Sequence, residues 1–235
     1  MSAAAGGPLR PPAGVRTVPP PHASATVVVL VRHGEAVCNV EGVVGGVTGC
    51  RGLTGAGRAQ VAALADRLER TGELAGVAAL YASVLPRAVE TAELLAPALD
   101  RWRDGPALAV TTDCDLCELH PGEADGLDWG QFAERYSPPD WDADPTAPLA
   151  PGGESWAGFV ARAAAAVERL ADRHRGQVVV AACHAGVVES TMLRFLPLDP
   201  ATARLGLRTE HASLTVWERA EGRWTLRRYN DAARA

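Results

Sequence analysis

Val27-Val28-Val29-Leu30-Val31 is an unbroken apolar, mostly β-branched run that gives way at once to Arg32-His33-Gly34-Glu35. Without apolar–polar alternation, such a run reads as a strand covered on both faces, as in a parallel sheet. Gln177 to Ala182 repeats the pattern and ends in Cys183-His184-Ala185-Gly186, before a helix over Val187 to Phe195. Val77 to Tyr81 and Leu108 to Thr112 are shorter runs of the same kind. Between them the period changes to that of a helix. Val61, Leu64, Ala65 and Leu68 follow Thr54, a reasonable N-cap; Ala88, Ala92 and Leu95 follow Ser83-Val84-Leu85-Pro86-Arg87, with Ser83 as the expected cap. Ser155 opens the clearest helix, with Trp156, Phe159, Val160, Ala163, Val167 and Leu170 on one face and Gly176 at its end. Ser213 to Glu218 and Trp224 to Asn230 alternate around Glu221-Gly222 and predict a closing antiparallel hairpin. Strands alternating with helices predict an α/β fold, a three-layer α/β/α sandwich around a mostly parallel sheet.

Ligands of such sheets sit at the carboxyl ends of the strands, where both histidine segments fall. Two such ends side by side would bring His33 and His184 to one crevice. A neutral imidazole can act as a nucleophile near pH 7 and hold a phosphoryl group, whereas Arg32 stays charged with forked donors suited to phosphate oxygens. Gly34 lets backbone and anion approach closely. Arg87 falls near a helix N-terminus, where a phosphate gains from the guanidinium and the helix end together. Taken alone, an Arg-His-Gly strand end is most often merely solvated.

The remaining segments are less regular. Ala36 to Gly52 is rich in Gly and Val, and Asn39 within it is either an amide donor to the anion or a turn former. Asp113 to Trp129 is an acidic loop with Glu118, His120, Glu123, Asp125 and Asp128; most of these carboxylates should be solvated, and one beside a phosphate could donate a proton. Trp129 to Gly153 is Pro-rich and is expected to form a partly helical lid, with Trp129, Phe132, Tyr136 and Trp141 either shaping a pocket or packing on the core.

Composition narrows the alternatives. A chain of 235 residues, 47% hydrophobic, suits one large domain over residues 26–235, preceded by a flexible Ala/Pro-rich leader over 1–25. The net charge of -5 argues against nucleic acid as a partner. All 23 basic residues are Arg, which excludes chemistry built on a P-loop or Schiff-base lysine. Cys38, Cys50, Cys114, Cys117 and Cys183 are scattered, and no secretory leader or membrane-spanning run is visible, so a reducing cytoplasm is expected. Cys114 and Cys117 form a Cys-x-x-Cys pair, but no second pair lies at zinc-ligand spacing, and neither a metal nor another cofactor is expected. A homodimer through a sheet edge or the terminal hairpin is left open.

Several motifs in order carry a resemblance: Arg32-His33-Gly34-Glu35 with Asn39; Leu53-Thr54 with Gly57; Ser83-Val84-Leu85-Pro86-Arg87-Ala88; Glu118-Leu119-His120-Pro121-Gly122 running to Gly126; Pro151-Gly152-Gly153-Glu154-Ser155; and Cys183-His184-Ala185-Gly186. From Thr26 to Asn230 the chain resembles the histidine phosphatase superfamily, with a phosphoglycerate-mutase-like fold. The resemblance implies that His33 is phosphorylated during turnover. It also implies that Arg32, Arg87 and His184, with Asn39, Gly34 and Ala185, form the phosphate pocket, and that Glu118 donates the proton. Two positions depart from the pattern: Cys50, where many members have Asp, and Ala185, where Gly is frequent.

The implied activity is metal-independent hydrolysis of a small phosphomonoester through phosphohistidine. Arg32, Arg87 and a protonated His184 would carry the charge a metal otherwise supplies. A phosphomutase and a non-catalytic phosphoester binder are the alternatives. Glycolytic mutases of the family carry a longer insertion between the acid and the second histidine, so the span from Glu118 to His184 favours hydrolysis. Glu123, Asp125 and Asp128 are expected to disfavour highly anionic substrates, and the aromatics to accept an apolar or ring-bearing leaving group.

Overall fold

A computed structural model of the chain describes residues 25–198 and 204–233; all of the expected leader except Ala25 lies outside them. Six strands form one sheet in the order β3-β2-β4-β1-β5-β6. These are β1 (Thr26–Arg32), β2 (Val77–Ala82), β3 (Val110–Thr112), β4 (Val178–Cys183), β5 (Ser213–Ala220) and β6 (Arg223–Ala232). The first four are mutually parallel, and β5 and β6 add the antiparallel hairpin at one edge.

The unbroken apolar runs have a plain cause: both faces of the central strands are covered. Val27, Val29 and Val31 of β1 and Val178, Val180 and Ala182 of β4 face a core shared with α2 (Gly55–Thr71) and α3 (Pro86–Asp100). Val28, Leu30, Val179, Ala181 and Cys183 point the other way, onto α5 (Trp156–Arg173) and α6 (Ala185–Phe195). Consecutive side chains on opposite faces of a pleat thus fill two cores, which gives the three layers.

Caps set where the helices begin. Thr54 accepts from the Gly57 N–H at 2.9 Å and Ser155 from the Gly158 N–H at 3.2 Å. Helix α3 differs from the sequence expectation: its N-cap is Leu85, with Pro86 in the first turn and no side-chain cap, so Ser83 is not the cap. The missing N–H of proline costs nothing in a first turn, where no intrahelical acceptor exists. Between β3 and α5 the chain is irregular, with two short 3-10 turns and α4 (Trp129–Arg135), after the short α1 (Val37–Glu41) near the start. No helix among the described residues is long and apolar enough to cross a membrane.

Candidate active site

Sheet register brings the two histidines together. Arg32 pairs with Cys183 across the parallel β1/β4 ladder, and the His33 N–H donates to the Cys183 carbonyl at 3.0 Å. Both strands then release an imidazole at the same level, with ring centroids 5.1 Å apart. On the other side of β4, Ala82 of β2 pairs with Ala182, which places Ser83 beside the same opening.

His33 is held as a specific tautomer. Its Nδ1 lies 2.6 Å from the Gly34 carbonyl, which can only accept, so Nδ1 carries the proton and Nε2 the lone pair. That lone pair accepts from Arg87 Nε at 3.1 Å. Burial, reinforced by the charge of Arg87, lowers the His33 pKa well below its ordinary value, so the ring is the free base at neutral pH.

His184 is completely buried at the N-cap of α6. Its Nε2 shares a 2.7 Å hydrogen bond with Ser83 Oγ, while Nδ1 has no partner among the described residues. Burial first, then Arg87, lowers its pKa well below the usual value. The expectation of a protonated His184 is therefore corrected for the free site: complete burial and the charges of Arg87, Arg32 and Arg162, with His33 beside it, favour the neutral ring.

Both arginines are anchored. Arg32 donates to the Thr209 carbonyl and lies 2.9 Å from His211 Nε2, while its buried Nε lacks a partner among the described residues. Arg87 also donates to the Gly45 carbonyl at 2.7 Å. Cys38 Sγ lies 3.9 Å from Arg87 Nη1 and shares a hydrogen bond with the thiol of Cys50. That hydrogen bond, together with the nearby Arg87, lowers the pKa of the Cys50 thiol.

Glu118 approaches from the irregular chain beyond β3. Its carboxylate accepts from the Gly186 N–H at 3.1 Å, in the first turn of α6, and from its neighbour Leu119. A Cβ on Gly186 would lie 2.1 Å from Glu118 Oε1, so this close approach requires glycine. Gly34 is equally constrained, since a Cβ there would meet the Gly57 carbonyl at 2.5 Å. Asn39 Oδ1 accepts from the Ala36 N–H at 3.0 Å, which leaves its NH2 as the donor; thus it is a turn former that also lines the cavity.

Arg32, His33, Asn39, Arg87, Glu118 and Ala185 share one cavity of about 460 Å³. Its outer wall is apolar: Val43, Val44, Leu119, Trp129, Phe132, Trp141 and Trp156, with Arg204 over the Trp156 ring. The expected lid is a wall with a packed base, in which Phe132 joins Val44, Ala124 and Ala150 in a small core and Trp141 stacks on Trp156. Tyr136 does not line the cavity and donates to Glu123.

The three acids expected to repel anionic substrates have other work. Asp125 accepts from the N–H groups of Thr48 and Gly49, Asp128 caps α4, and Glu123 holds Tyr136, so none faces the cavity.

Sequence reasoning missed His211, whose ring centroid is 5.7 Å from His33, and Thr91, whose Oγ1 accepts from the Gly34 N–H. His211 lies in an aperiodic stretch. Thr91 had a usable signal, as a polar residue on the buried face of α3.

Related chains and the same fold are known. The chain is 32% identical over 211 residues to phosphoglycerate mutase-like protein 4 of Arabidopsis thaliana, covering 88% of this chain and 85% of the relative. It is 30% identical over 212 residues to a metal-independent phosphoserine phosphatase of the same plant, covering 88% and 82%. The solved mycobacterial glucosyl-3-phosphoglycerate phosphatase complexed with VO3 superposes with a TM-score of 0.71 at 26% identity, over 88% of this chain and 99% of that one. The family model of the histidine phosphatase superfamily (branch 1) matches residues 28–232, and the chain belongs to that superfamily.

Proposed function

We propose that this phosphomonoesterase works through a phosphohistidine on His33, with Arg32, Arg87 and His184 binding the phosphoryl oxygens and Glu118 moving the proton. The observation that carries the reading is the His33 ring: its Nδ1 proton is committed to Gly34 and its Nε2 lone pair faces Arg87. A nucleophile and its electrostatic partner are thus already in contact.

A phosphate entering the pocket offers Arg87 a stronger, charged acceptor and frees Nε2 for in-line attack. The N–P bond forms as the ester P–O bond breaks, and protonated Glu118 passes its proton to the departing oxygen. Water then attacks the phosphohistidine, gives a proton to the Glu118 carboxylate, and releases phosphate with His33 as the free base. His184 Nδ1 and Arg32 Nε, both buried without partners among the described residues, gain acceptors when phosphate is bound.

The apolar wall supports a small monoester whose alcohol has an apolar or ring-shaped body. Arg204 adds room for one further anionic group on the leaving-group side, as a carboxylate would provide. The phosphoserine phosphatase and glucosyl-3-phosphoglycerate phosphatase named above give that class its first test compounds.

Rapid-quench labelling with a radioactive monoester tests the mechanism. Acid-labile label on His33 that decays to inorganic phosphate is expected, with activity unchanged in EDTA. Label that persists until an acceptor ester arrives would indicate a mutase. Near-normal turnover by His33→Ala would refute the nucleophile. An ester panel tests the substrate class, and a clear preference for bisphosphates over ring-bearing monoesters would refute it.

A further inference from the structure

The turn that leads into Glu118 carries a cluster that hydrolysis does not use. Cys114, Cys117 and His120 place one potential ligand atom each within 4.8 Å of one another. Cys114 Sγ lies 3.7 Å from Cys117 Sγ and 3.6 Å from His120 Nε2. Tetrahedral zinc with bonds of about 2.3 Å to sulfur and 2.0–2.1 Å to nitrogen needs sulfur–sulfur edges of about 3.8 Å and sulfur–nitrogen edges of about 3.6 Å. These two edges match those of a zinc centre, and the third, between Cys117 Sγ and the His120 ring, lies within 4.8 Å.

We propose that Cys114, Cys117 and His120 form a site for a zinc-class cation, with the fourth position open to water.

Two further features support a built site. His120 turns Nε2 toward the sulfurs, and its Nδ1 on the other side of the ring lies 3.6 Å from the Glu154 carboxylate, whose Oε2 accepts from the His120 backbone N–H at 2.9 Å. The backbone is also fixed independently of any ion. Asp113 caps the 3-10 turn by accepting from the Asp115 N–H, and Arg162 donates to the carbonyls of Asp115, Cys117 and Glu118 at 2.9–3.3 Å. The ligands therefore need little reorganisation, which favours binding. Zinc spacing rules applied to the sequence look for a second Cys pair; here the third ligand is a histidine three residues after Cys117.

The site has a location suited to structure rather than to chemistry. Glu118 follows Cys117 directly, so an ion held by residues 114, 117 and 120 ties both flanks of the acid. No step of hydrolysis passes through it.

The test is zinc titration of the full chain, stripped with chelator and kept reduced, against a chromophoric competitor. It is followed by X-ray absorption at the zinc edge and by Tm. One zinc per chain with two sulfur and one imidazole scatterers is expected, along with a Tm higher by several degrees. Cys114→Ser and His120→Ala, both changes near the surface, should each weaken binding by about 100-fold or more, while Cys183→Ala should bind as the parent does. Failure of the reduced chain to hold stoichiometric zinc would overturn the proposal. So would undiminished binding in the Cys114→Ser/His120→Ala double variant, or a Cys114–Cys117 disulfide forming in air in a chain that binds no zinc when reduced.

Discussion

The floor of the cavity and its outer wall are built on opposite principles. His33 and Arg87 on the floor, and His184 packed behind His33 and not itself lining the cavity, retain 3%, 4% and 0% of their exposure and stand at the ends of regular strands and helices. Trp129, on the wall, keeps 54% and belongs to a short helix within an otherwise irregular stretch. Charge that must meet a transition state gains most when fixed in a dry site, because donors already in place need no reorganisation during reaction. Contacts that choose a leaving group need shape, which surface chain can supply and vary. Changes to the floor should therefore act on kcat, and changes to the wall on KM.

The largest expected effect is at the floor. His33→Ala should lose about 10,000-fold or more in kcat, because no phosphohistidine can form without it, and phosphate trapping should show no labelled protein. Glu118→Gln should lose roughly 100- to 10,000-fold, with the loss greatest for esters of poorly acidic alcohols. Gly186→Ala tests position separately from chemistry. It keeps the carboxyl group but puts a Cβ 2.1 Å from its present oxygen. A displacement of about 1 Å should cost about 100-fold in kcat, measured by steady-state kinetics beside a check of fold by circular dichroism. A kcat equal to the parent's would show that Glu118 does not have to sit against α6.

On the wall, Trp129→Ala should raise KM roughly 10-fold for a ring-bearing ester, since it removes part of one aromatic face, and leave kcat within about twofold. If kcat fell and KM did not, the proposed division between floor and wall would be wrong.

The floor was legible in the sequence for the same reason that it is rigid. Unbroken apolar runs ending in Arg-His or Cys-His can be read without coordinates, and placing the two ends side by side puts both imidazoles at one crevice; the register, Arg32 opposite Cys183, is visible only in the structure. The wall was not legible in this way. Its acids read as a repulsive surface, yet Asp125 and Asp128 serve backbone N–H groups whose positions no periodicity reveals. Ser83 shows how local grammar can mislead: a serine before Pro-Arg looks like a cap, but its hydroxyl holds His184, 101 residues away along the chain. His211 had no periodic neighbours to announce it and reaches the site only because the chain returns past β1 before β5.

The smallest effect should come from mild acid, and it tests the dryness of the floor directly. An ordinary imidazole with a pKa of 6.5 would lose about threefold of its free base between pH 7 and 6. Burial and Arg87 hold His33 well below that value, and burial does the same for His184. Their ring NMR signals should therefore stay flat over this interval. The cost appears in stability. The unfolded chain takes up protons at both histidines below about pH 6.5 while the folded chain does not, so stability present at pH 7 is lost as pH falls. Each ring should therefore forfeit stability progressively as pH falls below about 6.5, visible as a lower urea midpoint at pH 5.5 than at pH 7. The His33→Gln/His184→Gln double variant, which has neither ring to protonate, should lose correspondingly less. Rings that titrate near 6.5 in the folded protein would show that water reaches the floor, and the contrast with the wall would disappear.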